Sequence, residues 1–392
     1  MGNGFRGKAR CDVDIPEKAK NIKAFLVMEI MEKAEEMERR GENIVHLEVG
    51  EPDFDTPQAV IEAAKNALNS GKTHYTHSMG LLELRQAISE DYKLRYGVEV
   101  DPECIIVTSG TSAAMSLIFS VLVKPGSEVL ITDPHYACYP NFIRFADGIP
   151  KLVRVDEKNG FQYEASSLKN AISEKTCGVL INSPGNPSGT LIGAETLKEI
   201  ADVDTQIISD EIYHGLVYGE KAHSILEYTS DAFVINGFSK LYAMTGWRVG
   251  YLIAPKHCIR TMQKLHQNFY ISANSFVQWA AIAALKETKE DIERMVATYD
   301  KRRRFLLDEL KSMDIKIPFE PRGAFYVMVN MSHISTDSYK LAFDILDKAK
   351  VAIAPGIDFG PGGEGYIRIC YANSIENIAE GMKRLRKFIE SR

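Results

Sequence analysis

The apolar positions of the chain fall into two regimes. Between residues 104 and 253 they come as short unbroken runs: Ile105-Ile106-Val107, Val129-Leu130-Ile131, Leu152-Val153, Val179-Leu180-Ile181, Ile207-Ile208, Phe233-Val234-Ile235 and Tyr251-Leu252-Ile253. Continuous runs of this length, separated by stretches of helical period, predict strands of a mostly parallel sheet covered by helices on both faces. Elsewhere the period is helical. Ile22 to Arg40 reads as an amphipathic helix closed by Gly41, and Thr56 as N-cap with Pro57 at the first position opens another to about Ser70. Further helices are expected over Leu81–Arg95, Phe276–Lys286, Asp291–Met313, Ser338–Ala349 and Ile375–Ile389. Strands at Ile44–Leu47, Ala324–Val329, Val351–Ala354 and Tyr366–Tyr371 complete a smaller α+β unit. The expected class is therefore α/β, with the boundary between the units in the helix after Asn274 and the N-terminal segment packed on the C-terminal unit.

Polar residues gather just beyond the ends of the central runs: Ser109, Tyr136, Asn186, Asp210 and Lys240. In open α/β sheets ligands bind outside the carboxyl ends of the strands, so these positions point to one shared site. Lys240 stands between two buried strands, surrounded by Phe238, Leu241, Tyr242 and Met244. An ammonium out of water is costly, and a desolvated lysine gives up its proton to become a nucleophilic amine that can form a Schiff base. Arg248 follows closely and keeps its charge, which suits a phosphate. An amine beside a phosphate clamp suggests pyridoxal phosphate. A loop lysine and a surface arginine flanking core strands would give the same pattern.

Other residues carry the same ambiguity. Ser109-Gly110-Thr111-Ser112 offers a helix N-terminus to a phosphate, but a plain N-cap explains it as well. Asp210 at a strand end wants a cation, which a pyridinium nitrogen would supply; capping of the next turn is the alternative. Tyr213 and Asn186 are placed to bond a phenolic oxygen, and Tyr136 to stack on a ring. Arg368, mid-strand among Ile367, Ile369 and Tyr371, matches a substrate carboxylate or a buried protein carboxylate.

Totals narrow the field. With 47 basic and 53 acidic residues the net charge is −6, so no basic face for nucleic acid is indicated. The six cysteines have no Cys-x-x-Cys spacing; neither a disulfide framework nor a metal site is signalled, and Cys104, Cys177 and Cys370 read as small core residues. Met1 to Arg6 is polar and lacks the apolar core of a signal peptide, and no run is long enough to span a membrane. A soluble, cytoplasmic protein is expected.

The motifs VGEPDFDTP, HYTHSMGLLELRQAI, VTSGTSAAM, NSPGNPSGT, SDEIYHGLVY, NGFSKLYAMTGWRVGY and YIRICYANS resemble those of the fold-type-I pyridoxal-phosphate aminotransferases, class I and II. The resemblance implies a three-layer α/β/α large domain over residues 55–285 and a small domain built from 1–54 and 286–392. It implies that Lys240 carries the cofactor pyridoxal 5′-phosphate, and that Arg248, Ser239, Thr111 and Ser112 hold its phosphate. Asp210 is similar to the partner of the pyridine nitrogen, Tyr213 and Asn186 to the partners of O3′, and Tyr136 to the stacking residue. Arg368, helped by the Gly50 backbone and Asn186, is similar to the clamp of the α-carboxylate. Tyr75 looks like the residue that reaches the phosphate of the opposite subunit, which implies a homodimer with shared sites. Two departures stand out: Gly237 where some members have serine, and Tyr136 where many have tryptophan.

The activity implied is ping-pong transfer of an α-amino group between an amino acid and a 2-oxo acid, with 2-oxoglutarate as acceptor. The donor is left open between aspartate and an apolar or aromatic amino acid, the latter if Phe25 lines the pocket rather than stapling the first helix. The same site residues also suit a C–S β-lyase or an aminocyclopropane-type synthase. A ligand-sensing domain of a transcription regulator would need a DNA-binding domain ahead of VGEPDFDTP, where mostly one helix is expected.

Overall fold

A computed structural model describes residues 13–392; the readings of Met1–Arg6 and Cys11 lie outside them. The strands, in chain order, are β1 (Val45–His46), β2 (Ile105–Thr108), β3 (Glu128–Asp133), β4 (Ile149–Arg154), β5 (Thr176–Asn182) and β6 (Gln206–Asp210), then β7 (Ala232–Gly237), β8 (Gly250–Ile253), β9 (Tyr326–Asn330), β10 (Val351–Ala352), β11 (Ala354–Pro355) and β12 (Tyr366–Cys370). Seven of them form one sheet in the order β2-β8-β7-β6-β5-β3-β4. Every pairing in it is parallel except those of β8, which runs against both β2 and β7.

Alternate residues of these strands enter two separate apolar cores, which is why the runs are continuous and not alternating. Ile106, Val129, Ile131, Leu180, Ile208, Phe233 and Leu252 pack on one face with Ala114, Ile118 and Met262 of two covering helices. Ile105, Val107, Leu130, Val179, Ile207 and Val234 face the other side, in a core shared with Leu84, Ile88, Ala280 and Ala284. The chain thus builds the three layers expected of its fold class.

The C-terminal strands form smaller sheets. β11, β12 and β9 are antiparallel, with Arg368 opposite Met328. β1 pairs in parallel with β10, Val45 against Val351, so the N-terminal segment does pack on the C-terminal one. The expected single strand Val351–Ala354 is split between two sheets, β10 in one and β11 in the other.

Several element ends differ from the sequence reading. The first long helix begins at Leu26, not Ile22, because the Asp358 carboxylate caps it from across the chain, accepting the backbone N–H of Leu26 at 2.9 Å and of Val27 at 3.1 Å. Thr56 is not an N-cap. Its hydroxyl donates to the Ala243 carbonyl at 2.6 Å and accepts from the Trp247 indole at 2.9 Å, and the helix starts after Pro57, at Gln58. Strand β6 stops at Asp210, so Tyr213 lies in the turn beyond it. Tyr139 and Pro140, expected in a loop, open a short helix to Phe145. Of the cysteines read as core residues, Cys370 is buried whereas Cys104 and Cys177 are only half-buried. Among the described residues no helix is long and apolar enough to cross a membrane. Nor do three or more His, Cys, Asp or Glu among them gather to hold a metal.

Candidate active site

The carboxyl ends of β2, β3, β5, β6 and β7 open on a cavity of about 200 Å³. Lys240, Asp210, Tyr213, Asn186, Tyr136, Thr111, Ser112, Gly50, Arg368 and Phe25 all line it. Arg248 reaches the same edge because β8 is reversed: a residue just before its first position lies beside the last residues of its neighbours, and Gly250 is opposite both Thr108 and Gly237. Ser239 is buried beside Lys240 but does not line the cavity. Tyr75 is the outlier, 81% exposed on the loop before the helix Leu82–Tyr96.

Arg248 and Gly110 define one end. Gly110 has a left-handed backbone, φ 81°, and a Cβ there would lie 2.5 Å from the Arg248 Nη2. It precedes the helix Thr111–Leu122, whose first turn receives no side-chain cap. Free N–H groups, the positive end of the helix dipole and a guanidinium converge there, the donor set an oxyanion group requires. Gly237 belongs to the same close approach: a Cβ on it would come within 2.9 Å of Gly250 Cα, so the serine of some relatives has no room.

Lys240 projects into the middle and donates from Nζ to the Gly50 carbonyl at 2.7 Å. Burial, which outweighs the attraction of Cys370 and Glu51, lowers its pKa to about 8. Asp210 lies deeper, fully enclosed, and burial raises its carboxyl to about 6. It accepts the Tyr139 hydroxyl at 2.7 Å and the Ile212 N–H at 3.2 Å, both of which oppose that rise. A buried carboxyl so placed is relieved by a cation in the cavity. Tyr213 meets Tyr326 hydroxyl to hydroxyl at 2.7 Å.

Arg368 settles one alternative. Among the described residues no carboxylate forms an ion pair with it. Its Nη1 donates to Asn186 Oδ1 at 2.9 Å and its Nη2 to the Glu48 carbonyl, while the buried Nε has no partner. The guanidinium lies between the rings of Tyr326 and Phe359, at 4.4 and 4.8 Å from their centroids. A planar cation held this way, with donor capacity left over, accommodates a ligand carboxylate.

Tyr139 and Tyr326 were missed from sequence. Tyr139 opens the short helix just after the loop that carries Tyr136, and both line the cavity, their rings edge to face with centroids 5.2 Å apart. Tyr326 gives no comparable signal, since an aromatic within an apolar run reads as core.

An amine that loses its proton readily, an uncapped helix end with an arginine, and a buried carboxyl awaiting a cation together fit the aldehyde, phosphate and pyridinium of pyridoxal phosphate. Residues 42–385 match the family model described as aminotransferase class I and II. The chain belongs to this family, a class of pyridoxal-phosphate-dependent enzymes that move amino groups. It is 43% identical to the (5-formylfuran-3-yl)methyl phosphate transaminase of Methanocaldococcus jannaschii, over 94% of this chain and 98% of the relative. It is 39% identical to an aspartate aminotransferase of Pyrococcus horikoshii, over 96% and 97% of the two chains. Among solved structures it is similar to a Methanococcus jannaschii protein whose active site is described as similar to kynurenine aminotransferases. That likeness has a TM-score of 0.90 and 42% identity, and covers 96% of this chain and 100% of the other. The protein is a pyridoxal-phosphate-dependent aminotransferase acting on amino acids and 2-oxo acids.

Proposed function

We propose that the enzyme transfers the amino group of an apolar or aromatic amino acid to a 2-oxo acid, in the cytoplasm and as a homodimer. The observation that carries the donor class is the lining of the cavity. Phe25, Val27, Met28 and Met115 stand there, and Arg368 is the only arginine among the described residues that line the cavity. A second carboxylate, such as that of aspartate, finds no dedicated cation there, and burying it unpaired is costly. Phenylalanine is therefore expected to exceed aspartate in kcat/KM by about tenfold or more. Steady-state rates with both donors against pyruvate as the common acceptor check this; a preference for aspartate overturns it.

Bound pyridoxal phosphate supplies an aldehyde that captures amines and a ring that takes up electron density from the substrate Cα. Lys240 anchors it, and Arg248, Ser239, Thr111 and Ser112 bind its phosphate. Tyr75 reaches the phosphate in the other subunit, for which its exposure leaves it free. Asp210 holds a proton at the ring nitrogen, Tyr213 and Asn186 hydrogen-bond O3′, and Tyr136 stacks on the ring. Arg368, with Asn186 and the Gly50 backbone, orients the α-carboxylate of the substrate. The Lys240 amine, when free, would stand as the base that takes the proton from the substrate Cα, and the same residues would serve the second, 2-oxo acid substrate. Residues 55–285 would form the cofactor-binding domain, and 1–54 with 286–392 the smaller one that brings Phe25, Gly50 and Arg368 to it.

The lowered pKa of Lys240 gives a direct test of the anchor. Only the neutral amine attacks an aldehyde, so attachment to the apoprotein should speed up with pH and level off above about 8. Stopped-flow absorbance after mixing with pyridoxal phosphate measures it. A rate still climbing at pH 10 is the behaviour of an ordinary lysine and contradicts the assignment.

A further inference from the structure

Glu48 is fully buried, and it is not part of the reaction described above. One carboxylate oxygen, Oε1, lies 2.8 Å from His46 Nδ1; the other, Oε2, has no hydrogen-bond partner among the described residues. The second ring nitrogen of His46, Nε2, is 3.2 Å from Glu38 Oε1 on the helix Leu26–Arg39. A neutral imidazole has one N–H, so facing two carboxylates requires the doubly protonated cation. The hydrogen bond to Glu48 accordingly raises the His46 pKa to about 9.

The main chain of this same Glu48 accepts a hydrogen bond from Arg368 Nη2, and the Arg368 Nε is buried without a partner among the described residues. Burial pushes the thiol of Cys370, two positions along β12 from Arg368, up to about 11; Arg368 opposes that rise and Glu48 adds a little to it. The buried guanidinium thus touches the main chain of the residue that carries the buried carboxylate, each group has an unused polar atom among the described residues, and the guanidinium must stay free for a ligand. We propose that His46 is a positioning residue for Arg368: by occupying the Glu48 carboxylate, it keeps that anion from competing with the substrate's carboxylate. This inference rests on the reading of Arg368 as the carboxylate site. The charged and titratable groups facing the Glu48–His46 pair are Glu38 on the long helix, and Arg368 and Cys370 on β12.

The test is binding of 3-phenylpropionate, an acid without an amino group, to the holoenzyme as a competitive inhibitor. In His46→Gln its Ki should rise about tenfold, with kcat changed much less, as Glu48 draws on Arg368. Removing the rival anion too, in His46→Gln/Glu48→Gln, should recover most of the lost affinity. A Ki within twofold of wild type in His46→Gln, or a double variant as weak as the single one, overturns the inference. Should His46→Gln fail to accumulate, wild-type enzyme is titrated between pH 8 and 10. Binding should weaken as His46 loses its proton near 9, and this loss should flatten in Glu48→Gln; equal losses in both overturn it. Arg368→Gln separates the two readings. If it binds the acid like wild type, the carboxylate role of Arg368 fails. If it loses the acid while His46→Gln keeps it, only the role of His46 fails.

Discussion

Lys240→Ala is expected to lower turnover by at least about 10⁴-fold, the upper end of what one positioned acid–base group contributes. Two functions are lost together: the covalent anchor and the base at the substrate Cα. The surroundings should hold, because the rest of the site does not lean on this side chain. Among the described residues its only hydrogen bond is to the Gly50 carbonyl, and the phosphate end is built from Gly110, Arg248 and the helix start at Thr111. The variant should therefore still bind pyridoxal phosphate, released on dialysis, without the absorbance of the attached form. Turnover within tenfold of wild type would remove Lys240 from the centre of the mechanism. Borohydride treatment followed by peptide mapping gives an independent check, since reduction should fix the cofactor on Lys240 in wild type only.

Asp210→Asn is expected to cost about 10²–10³-fold in kcat, the range for removing one preorganised electrostatic partner of a developing charge. The amide has the size of the carboxyl: its oxygen can keep the Ile212 N–H, which lies 3.2 Å from Oδ1, while its NH2 takes the place of Oδ2 and donates to the Tyr139 hydroxyl, now 2.7 Å away. It lacks the charge that holds a proton on the ring nitrogen. Without that proton the ring is a poorer electron sink, so proton removal from the substrate Cα slows while cofactor attachment persists. A substrate deuterated at Cα should then show a larger isotope effect than in wild type. An unchanged kcat would assign Asp210 to turn capping instead.

Much of this site was legible in the sequence because strand and helix patterns fix which residues end at one edge. Five strand ends, at Ser109, Tyr136, Asn186, Asp210 and Lys240, carry polar residues on a parallel sheet, and a parallel sheet puts its carboxyl ends together. Arg368 was legible as an arginine out of place in an apolar strand. The parts that escaped depend on partners distant in the chain. Asp358 caps residues more than 300 positions earlier, so no local signal moves the helix start from Ile22 to Leu26. Thr56 has every mark of an N-cap, yet Ala243 and Trp247 take its hydroxyl. The hydroxyl pairing of Tyr213 and Tyr326 likewise comes from two units that meet only in the fold.

The contact between Asp358 and Val27 joins residues 331 positions apart. A ribosome makes the helix Leu26–Arg39 and strand β1 first, but β10 and the cap of that helix emerge almost last. Throughout synthesis the apolar face of Val27, Ile30, Ala34 and Met37 has no permanent home, while the central sheet can already assemble behind it. The nascent chain must carry this sticky helix unpaired until β10 and Asp358 have been made. Chaperone dependence during translation should accordingly trace to the first fifty residues, not to the sheet that holds the cofactor.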